Sequence, residues 1–340
     1  MNYFTMNTYE MKRDILNFSN KMSNNLSKPT KKFVMDSLYG IAKSKSCLIS
    51  NIARALKEDV KLKYVIERLC DNYSNLSDDE ISILKNNYYN EVKDLFHDEP
   101  IAIFDDSDIA KRYGKKFEDL DRVIDASSIN KEVVNGYHIC EAVVLGKEQK
   151  QPISLYSEIY SCKSNNFISK NKYTFESIDT VRKVLSRKCN MVFDRGYDDN
   201  KIIDYVDSNG DYFVIRMDDK RNFLFKGKKK NCYKEAVKRK GKVRMELWFD
   251  DNEVHEVYVS HTRVKLPSNK KEYELIFVYG LSKERPLILL TNKNIKSKED
   301  LIKIVRLYFT RWRIEEYFRA KKQEYEFENI RLRTLKGINN

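Results

Sequence analysis

The sequence predicts an α/β protein in which an all-helical N-terminal region precedes a mixed sheet with helices on its faces. Three observations support this prediction. Residues 1–98 contain one proline and one glycine, and their apolar residues recur at intervals of three and four. From Pro100 onward, apolar runs of strand length alternate with a helical segment. Residues 212–291 consist mainly of strand-like segments separated by basic turns.

Within the N-terminal region, residues 43–73 predict two helices around a short polar turn. If this is a helix-turn-helix, its second helix would enter a DNA groove. An all-α bundle without groove contact fits the same residues equally well. Ser77, followed by acidic residues and by Glu80 three positions later, predicts the start of a further helix.

After Pro100, an apolar strand at 101–104 is predicted to run into an acidic turn. The next segments are predicted to be strand, strand, helix and strand, at 134–146, 152–161, 177–188 and 190–199. Together with the first strand, this order is typical of a mixed α/β sheet. From Ser297 the helical spacing returns and is predicted to continue without a break beyond Lys322.

The charge of the chain indicates an anionic partner. Lys and Arg number 64 against 51 Asp and Glu, which gives a net charge of +13. Nucleic acid is the commonest partner of such a basic protein, although a generally lysine-rich proteome would give the same balance. No apolar run approaches membrane-spanning length and no secretory signal is visible, so we expect a soluble, cytoplasmic and nucleoid-associated protein without a membrane partner.

Several classes of site are excluded by their motifs. The chain has no GxGxxG, no Walker A loop and no GxSxG elbow. Its six cysteines include no Cys-x-x-Cys pair, and we expect mostly buried, reduced thiols. His255 and His261 lie close in sequence without an HExxH motif, so a histidine metal site there is not expected.

Carboxylates at strand ends remain as candidate functional groups. Asp105, Asp106 and Asp108 follow the apolar strand at 101–104, and Asp194 follows the strand that starts at 190. Carboxylates in such places can bind a hard cation such as Mg²⁺, but each group taken singly is also compatible with a solvated turn.

A third group of polar residues shares a helical stripe. At 100° per residue, Tyr308, Arg311, Glu315 and Lys322 fall within about 60° of one another. An ordinary surface ion pair between Arg311 and Glu315 would produce part of this pattern.

Taken together, these residues resemble the DDE transposases of bacterial insertion sequences, in the insertion-sequence-four family. The stripe matches the signature Y-xx-R-xxx-E-xxxxxx-K with its spacing intact. Asp194-Arg-Gly-Tyr resembles the second-aspartate motif D-x-G/A-Y/F, and Asp105-x-Ser-Asp resembles the first, D-x-S/T. The motifs follow the family's order over residues 100–336.

The resemblance implies a ribonuclease H-like catalytic domain at 99–340, interrupted by a β-rich insertion at about 208–292. An N-terminal DNA-binding region at 1–98 would precede it, with recognition of a specific end sequence placed on residues 44–75. Asp105, Asp194 and Glu315 would be the catalytic, metal-binding triad. Asp106 is an alternative to Asp105, and we register the motif on Asp105 because Ser107 and Asp108 then fit it.

The chemistry implied by the resemblance is DNA cleavage and strand transfer at insertion-sequence ends with two Mg²⁺ ions, for which Mn²⁺ would substitute. Tyr308, Arg311 and Lys322 would grip phosphates, and Trp312 would either stack on a displaced base or pack in the core. The implied partners are double-stranded DNA, as transposon ends and target, and a second protomer on that DNA.

Two alternatives stay open. The chain ends 18 residues after Lys322, where the resemblance leads us to expect more helix for dimer contacts. A catalytically incompetent DNA-binding derivative that acts as a regulator is therefore one alternative. A nuclease without strand-transfer activity is the other.

Overall fold

A computed structural model describes residues 3–125, 130–148, 151–248, 254–282 and 285–340, with side chains from residue 9 onward. The helices are α1 Tyr3–Met22, α2 Lys28–Ser44, α3 Ile49–Leu56, α4 Leu62–Asn75, α5 Asp78–Val92, α6 Lys170–Leu185, α7 Asn200–Ser208, α8 Cys232–Val237, α9 Lys298–Phe309, α10 Trp312–Arg319 and α11 Leu335–Asn339. The strands are β1 Ile101–Ala110, β2 Asp121–Ile124, β3 Val133–Leu145, β4 Pro152–Tyr160, β5 Asn190–Phe193, β6 Tyr212–Arg216, β7 Asn222–Phe225, β8 Lys228–Asn231, β9 Val243–Trp248, β10 Val254–Lys265, β11 Glu272–Tyr279 and β12 Leu287–Thr291. None of the described helices is both long and apolar enough to cross a membrane.

The strands of the described residues join into one mixed sheet. Its main path runs β2-β3-β1-β5-β6-β12-β11-β10-β7-β8, while β4 pairs with β3 and β9 pairs with β10. The pairs β1–β5 and β5–β6 are parallel, and β1–β3 and β3–β4 are antiparallel. The predicted α/β class, with N-terminal helices before a mixed sheet, is confirmed. The strand-rich segment after α7 continues this same sheet.

The two faces of the sheet carry different helices because the strand side chains alternate. On one face, Ile103 and Val192 belong to a buried cluster with Ile304 and Ile314 of α9 and α10, and residues of the N-terminal helices extend it. On the other face, Phe104 and Phe193 pack with residues of α6 and α7. A residue's position along β1 therefore decides which helices it meets.

The predicted acidic turn after residue 104 is wrong. β1 continues to Ala110, and its antiparallel pairing with β3 extends from Ala102–Val144 to Ala110–Gly136. β3 is long enough to pair with the backbone N–H and C=O groups of the acidic residues, so these residues stay in the sheet and do not form a turn. Successive carboxylates consequently point to opposite faces of the sheet.

The predicted unbroken C-terminal helix is also wrong. α9 ends at Phe309 and α10 begins at Trp312. In between, the N–H groups of Arg311 and Arg313 bond three residues back, to Tyr308 and Thr310. The Thr310 hydroxyl donates to the Leu307 carbonyl at 2.7 Å, a side-chain bond of the kind that bends helices. A π-helical segment, Ala320–Glu324, follows α10 and changes the phase again.

Several local predictions are confirmed. Ser77 and Glu80 form a capping box at the start of α5. The predicted pair of helices at 43–73 appears as α3 and α4, separated by a five-residue connection.

α6 begins earlier than predicted, because Ser169 caps it by accepting a hydrogen bond from the Lys172 N–H. β2, α7 and α8 are elements that the sequence patterns did not predict.

Candidate active site

The register of two parallel strands brings Asp105 and Asp194 side by side. Phe104 of β1 pairs with Phe193 of β5, and their rings stack at 4.7 Å on the α6 face. The next residue of each segment is an aspartate, which alternation directs to the opposite face. Both carboxylates therefore lie on the face covered by α9 and α10.

The turn between α9 and α10 brings three further predicted residues to these aspartates. The Arg311 guanidinium donates to Asp105 Oδ2 at 3.3 Å and to the Glu315 carboxylate. The Tyr308 hydroxyl donates to Asp194 Oδ1 at 3.4 Å. Asp105, Asp194 and Glu315, which are widely separated in sequence, are thus connected through Tyr308 and Arg311.

Partial burial and the closeness of several carboxylates shift the pKa values of the site residues. Burial raises the pKa of Asp105 to about 7 against the opposing effect of Arg311, and the nearby Asp194 carboxylate adds to the rise. Burial, with a contribution from Asp194, raises the pKa of Tyr308 to about 12. Although burial alone would lower the pKa of Arg311, the adjacent carboxylates raise it above its ordinary value.

Asp106 has different surroundings from Asp105. It points toward the α6 face, and burial raises its pKa while the nearby Tyr197 hydroxyl and Cys140 thiol offset part of that rise. Arg311 contacts Asp105, which lies on the same face as Asp194 and Tyr308. The geometry therefore favours Asp105 over Asp106 as the partner of Asp194 and Glu315.

A cavity of about 510 Å³ opens beside Glu315 and the two residues that contact the aspartates, Tyr308 and Arg311. Trp312 and Glu315 line it together with four arginines, Arg195, Arg216, Arg285 and Arg311. Arg216 Nη1 lies 3.9 Å from Asp194 Oδ1. Arg216, which ends β6, was not predicted from the sequence as a site residue. Its only sequence signal was its place at the end of a strand next to the Asp194 strand.

Lys322 lies near β1 but makes no contact with the three carboxylates in the described structure. Its ammonium donates to the backbone carbonyl of Asp108 and lies 3.4 Å from Glu328 Oε1. Tyr308 and Lys322 would share a stripe only on a regular helix. The turn at Thr310 and the π-helical segment interrupt the helix between them.

Glu141 is a second residue of this region that was not predicted from the sequence. It lies directly opposite Asp105 in the β1–β3 register and is fully buried. Its carboxylate accepts hydrogen bonds from Lys321 Nζ, at 3.0 Å, and from the Ser154 hydroxyl. This buried ion pair joins β3 to the segment that follows α10, and so helps to hold Glu315 close to Asp105.

The donor set of this site fits a hard divalent cation. Asp105, Asp194 and Glu315 offer carboxylate oxygens, which Mg²⁺ and Mn²⁺ prefer. Burial is the main cause of the raised pKa of Asp105, and a bound cation would favour the ionised form of this carboxylate. The arginines around the cavity would in turn attract anionic groups.

The comparisons with known proteins place the chain in a family. The family described as the transposase DDE domain matches residues 167–340, just over half of the chain. The chain therefore belongs to the family of DDE transposase domains, whose general activity is phosphodiester cleavage and transesterification and whose members generally use divalent metal ions. The match includes Asp194 and Glu315, and Asp105 lies before it.

A solved structure, the cryo-EM structure of a piggyBac transposase synaptic complex with hairpin DNA, is similar to the chain at a TM-score of 0.47 and 10% sequence identity. The similarity covers 92% of this chain and 66% of that chain, slightly less than two thirds of its length. A comparison with curated proteins gives no match.

Proposed function

We propose that the chain is a transposase that cleaves DNA at insertion-sequence ends and transfers the cut strand to target DNA. The observation that carries this proposal is the contact network of the candidate active site. Arg311 bridges Asp105 and Glu315, and Tyr308 contacts Asp194. Three of the four residues of the insertion-sequence-four signature, Tyr308, Arg311 and Glu315, thus lie in one cluster of carboxylates.

The strand order supports a ribonuclease H-like core. The order β4-β3-β1-β5-β6 has three antiparallel strands followed by two parallel ones, and Asp105 and Asp194 lie at neighbouring positions of β1 and β5. We assign residues 99–340 to this catalytic domain and 1–98 to an N-terminal DNA-binding region. Because β6 and β12 pair beside the core, the β-rich insertion extends mainly between these two strands.

Asp105, Asp194 and Glu315 would hold two divalent ions, Mg²⁺ with Mn²⁺ as a substitute. Bound there, the metal would supply Lewis-acid activation of the attacking hydroxyl and stabilisation of the leaving 3′ oxygen. The chain's own residues contribute charge and position. Arg216 and Arg311 would attract the phosphate, and Tyr308 and Arg311 orient the carboxylates through the contacts described above.

We assign the DNA contacts to Tyr308, Arg311, Trp312 and Lys322, and add Arg216. Trp312 lines the arginine-rich cavity, so its ring is available to stack on an unpaired base. Arg313 lies over the same ring at 4.0 Å. A dimer on paired DNA ends, with recognition of the end sequence by α3 and α4, completes the proposal.

The test is an assay of the purified chain with labelled double-stranded DNA that carries the insertion-sequence ends. Mg²⁺ and Mn²⁺ should support cleavage and the formation of joined products, whereas Ca²⁺ should allow binding without turnover. The variant Glu315→Gln is the matched control and should bind DNA without cutting it. A regulator would bind the ends but would not cut them with any of these metals. A simple nuclease would give cut products but never joined ones.

A further inference from the structure

A second group of side chains that could hold a metal ion lies on the α6 face of the sheet, away from the candidate active site. It consists of Asp121, His138 and Cys162, whose ligand atoms all lie within 4.8 Å of one another. Asp121 begins β2, His138 lies in β3, and Cys162 follows the end of β4. The family resemblance assigns no role to any of them.

Two of the three side chains, those of His138 and Asp121, are already oriented by neighbours. His138 Nδ1 lies 2.8 Å from Asp108 Oδ1, which directs Nε2 toward Asp121 Oδ2 at 3.7 Å. The Asp121 carboxylate accepts the backbone N–H groups of Arg122, at 2.7 Å, and Cys162, at 2.9 Å. In metal sites, the histidine nitrogen that does not bind the metal usually forms a hydrogen bond with a carboxylate.

We propose that Asp121, His138 and Cys162 form a zinc-binding site, with Asp108 as the carboxylate that orients the histidine. A sulfur, a nitrogen and an oxygen donor together suit Zn²⁺, whereas Mg²⁺ prefers oxygen ligands alone. Zinc bonds of about 2.0 to 2.3 Å at tetrahedral angles separate neighbouring ligand atoms by about 3.3 to 3.8 Å. The observed cluster needs only a small contraction to reach those separations.

The site would keep one coordination position for water, because Cys162 is exposed while Asp121 and His138 are mostly covered. Zn²⁺ there would tie β2, β3 and the chain after β4 together at one end of the sheet. Asp108 lies three residues beyond Asp105 on β1, about 10 Å along the strand and on the other face. Zinc binding is therefore separate from metal binding by Asp105, Asp194 and Glu315.

The first experiment titrates the metal-free full chain with Co²⁺, a spectroscopic substitute for Zn²⁺, and then displaces it with Zn²⁺. We expect a near-ultraviolet charge-transfer band from a thiolate–cobalt bond, which Zn²⁺ abolishes. Cys162→Ser should lose the band, and Cys70→Ser, a control cysteine in α4, should keep it. Asp105→Asn should also keep it, because the carboxylates of the candidate active site take no part. A band that persists in Cys162→Ser, or that is missing from the parent chain, would overturn the proposal.

A second readout uses the reactivity of the native thiol. Cys162 should be alkylated in the metal-free chain and protected by Zn²⁺, with peptide mapping to identify the modified cysteine. Asp108→Asn keeps all three ligands and should weaken Zn²⁺ affinity about 10- to 100-fold in competition with a chromogenic chelator. Equal alkylation with and without Zn²⁺, or unchanged affinity in Asp108→Asn, would count against the site. Neither readout depends on DNA cleavage, so failure here is distinct from failure of the proposed function.

Discussion

Replacing Asp105 by Asn should stabilise the metal-free protein at neutral and alkaline pH. The pKa of Asp105 rises from 3.8 to about 7 in the folded state. At a pH between these two pKa values, Asp105 is protonated in the folded protein and ionised in the unfolded chain. The free energy of unfolding of the parent therefore falls as the pH rises from about 4 to about 7, and the loss is complete above that range. Asn has nearly the same shape and carries no charge.

The size of this effect follows from the same two values. A shift from 3.8 to about 7 corresponds to about 4 kcal/mol at 1.36 kcal/mol per pKa unit. The variant loses the contact between Arg311 and Asp105, but Arg311 keeps Glu315 as a partner. We therefore expect Asp105→Asn to be more stable than the parent by about 1 to 4 kcal/mol at pH 8, and to differ little from it near pH 4.

The assay is urea unfolding from pH 4 to pH 8.5 in the presence of a chelator. Asp98→Asn is a matched control because that carboxylate is fully exposed, and its pH dependence should follow that of the parent. With saturating Mg²⁺ the order should reverse, since the parent alone keeps the full set of carboxylates. Parallel pH curves for the parent and Asp105→Asn, with no gain at pH 8, would refute the assignment of a raised pKa to Asp105.

Two further predictions concern charges away from the three carboxylates. Alanine at three exposed lysines of the strand-rich segment, Lys228 and Lys229 in β8 and Lys240 after α8, should weaken DNA binding and reduce the slope of log affinity against log salt by up to about 2.7, or about 0.9 for each lost phosphate contact. An unchanged slope would mean that these lysines face solvent without contacting DNA. Glu141→Leu should cost about 3 kcal/mol in urea unfolding because Lys321 is left without its buried partner, and the double variant with Lys321→Met should recover most of that loss. A double variant as unstable as the single one would show that burial of the ion pair is not the cause.

Features coded by short stretches of sequence could be predicted. The capping box at Ser77 depends on residues three positions apart, and the apolar runs of β3, β4 and β5 are long enough to be read directly. The signature residues Tyr308, Arg311 and Glu315 lie within eight residues of one another, so they remain close in space on either side of the turn at Thr310. Spacing along the sequence is therefore enough to predict that such residues meet, even where their helix is interrupted.

Features that depend on pairing between distant strands could not be predicted. The acidic run after Phe104 has the composition of a turn, and only the length of β3 keeps it in the sheet. Glu141 meets Asp105 through that same register, which no local pattern encodes. Arg216 reaches Asp194 because β6 lies beside β5.

The zinc-site residues were missed for a related reason. Asp121, His138 and Cys162 come from three separate elements, and no short metal-binding motif connects them. His255 and His261, which lie close in sequence, are not members of this cluster. Sheet pairing brings the three ligands together, so their proximity is a property of the fold.

The most direct test of the central claim compares two adjacent aspartates in one cleavage assay. The claim is that the carboxylates on the α9–α10 face, Asp105 with Asp194 and Glu315, hold the catalytic metal. Asp105→Asn, like Asp194→Asn and Glu315→Gln, should reduce Mg²⁺-dependent cleavage of labelled insertion-sequence ends by several orders of magnitude while DNA binding stays equal or becomes slightly tighter. Asp106→Asn, one residue away on the opposite face, should retain substantial activity. An inactive Asp106→Asn beside an active Asp105→Asn would contradict the account.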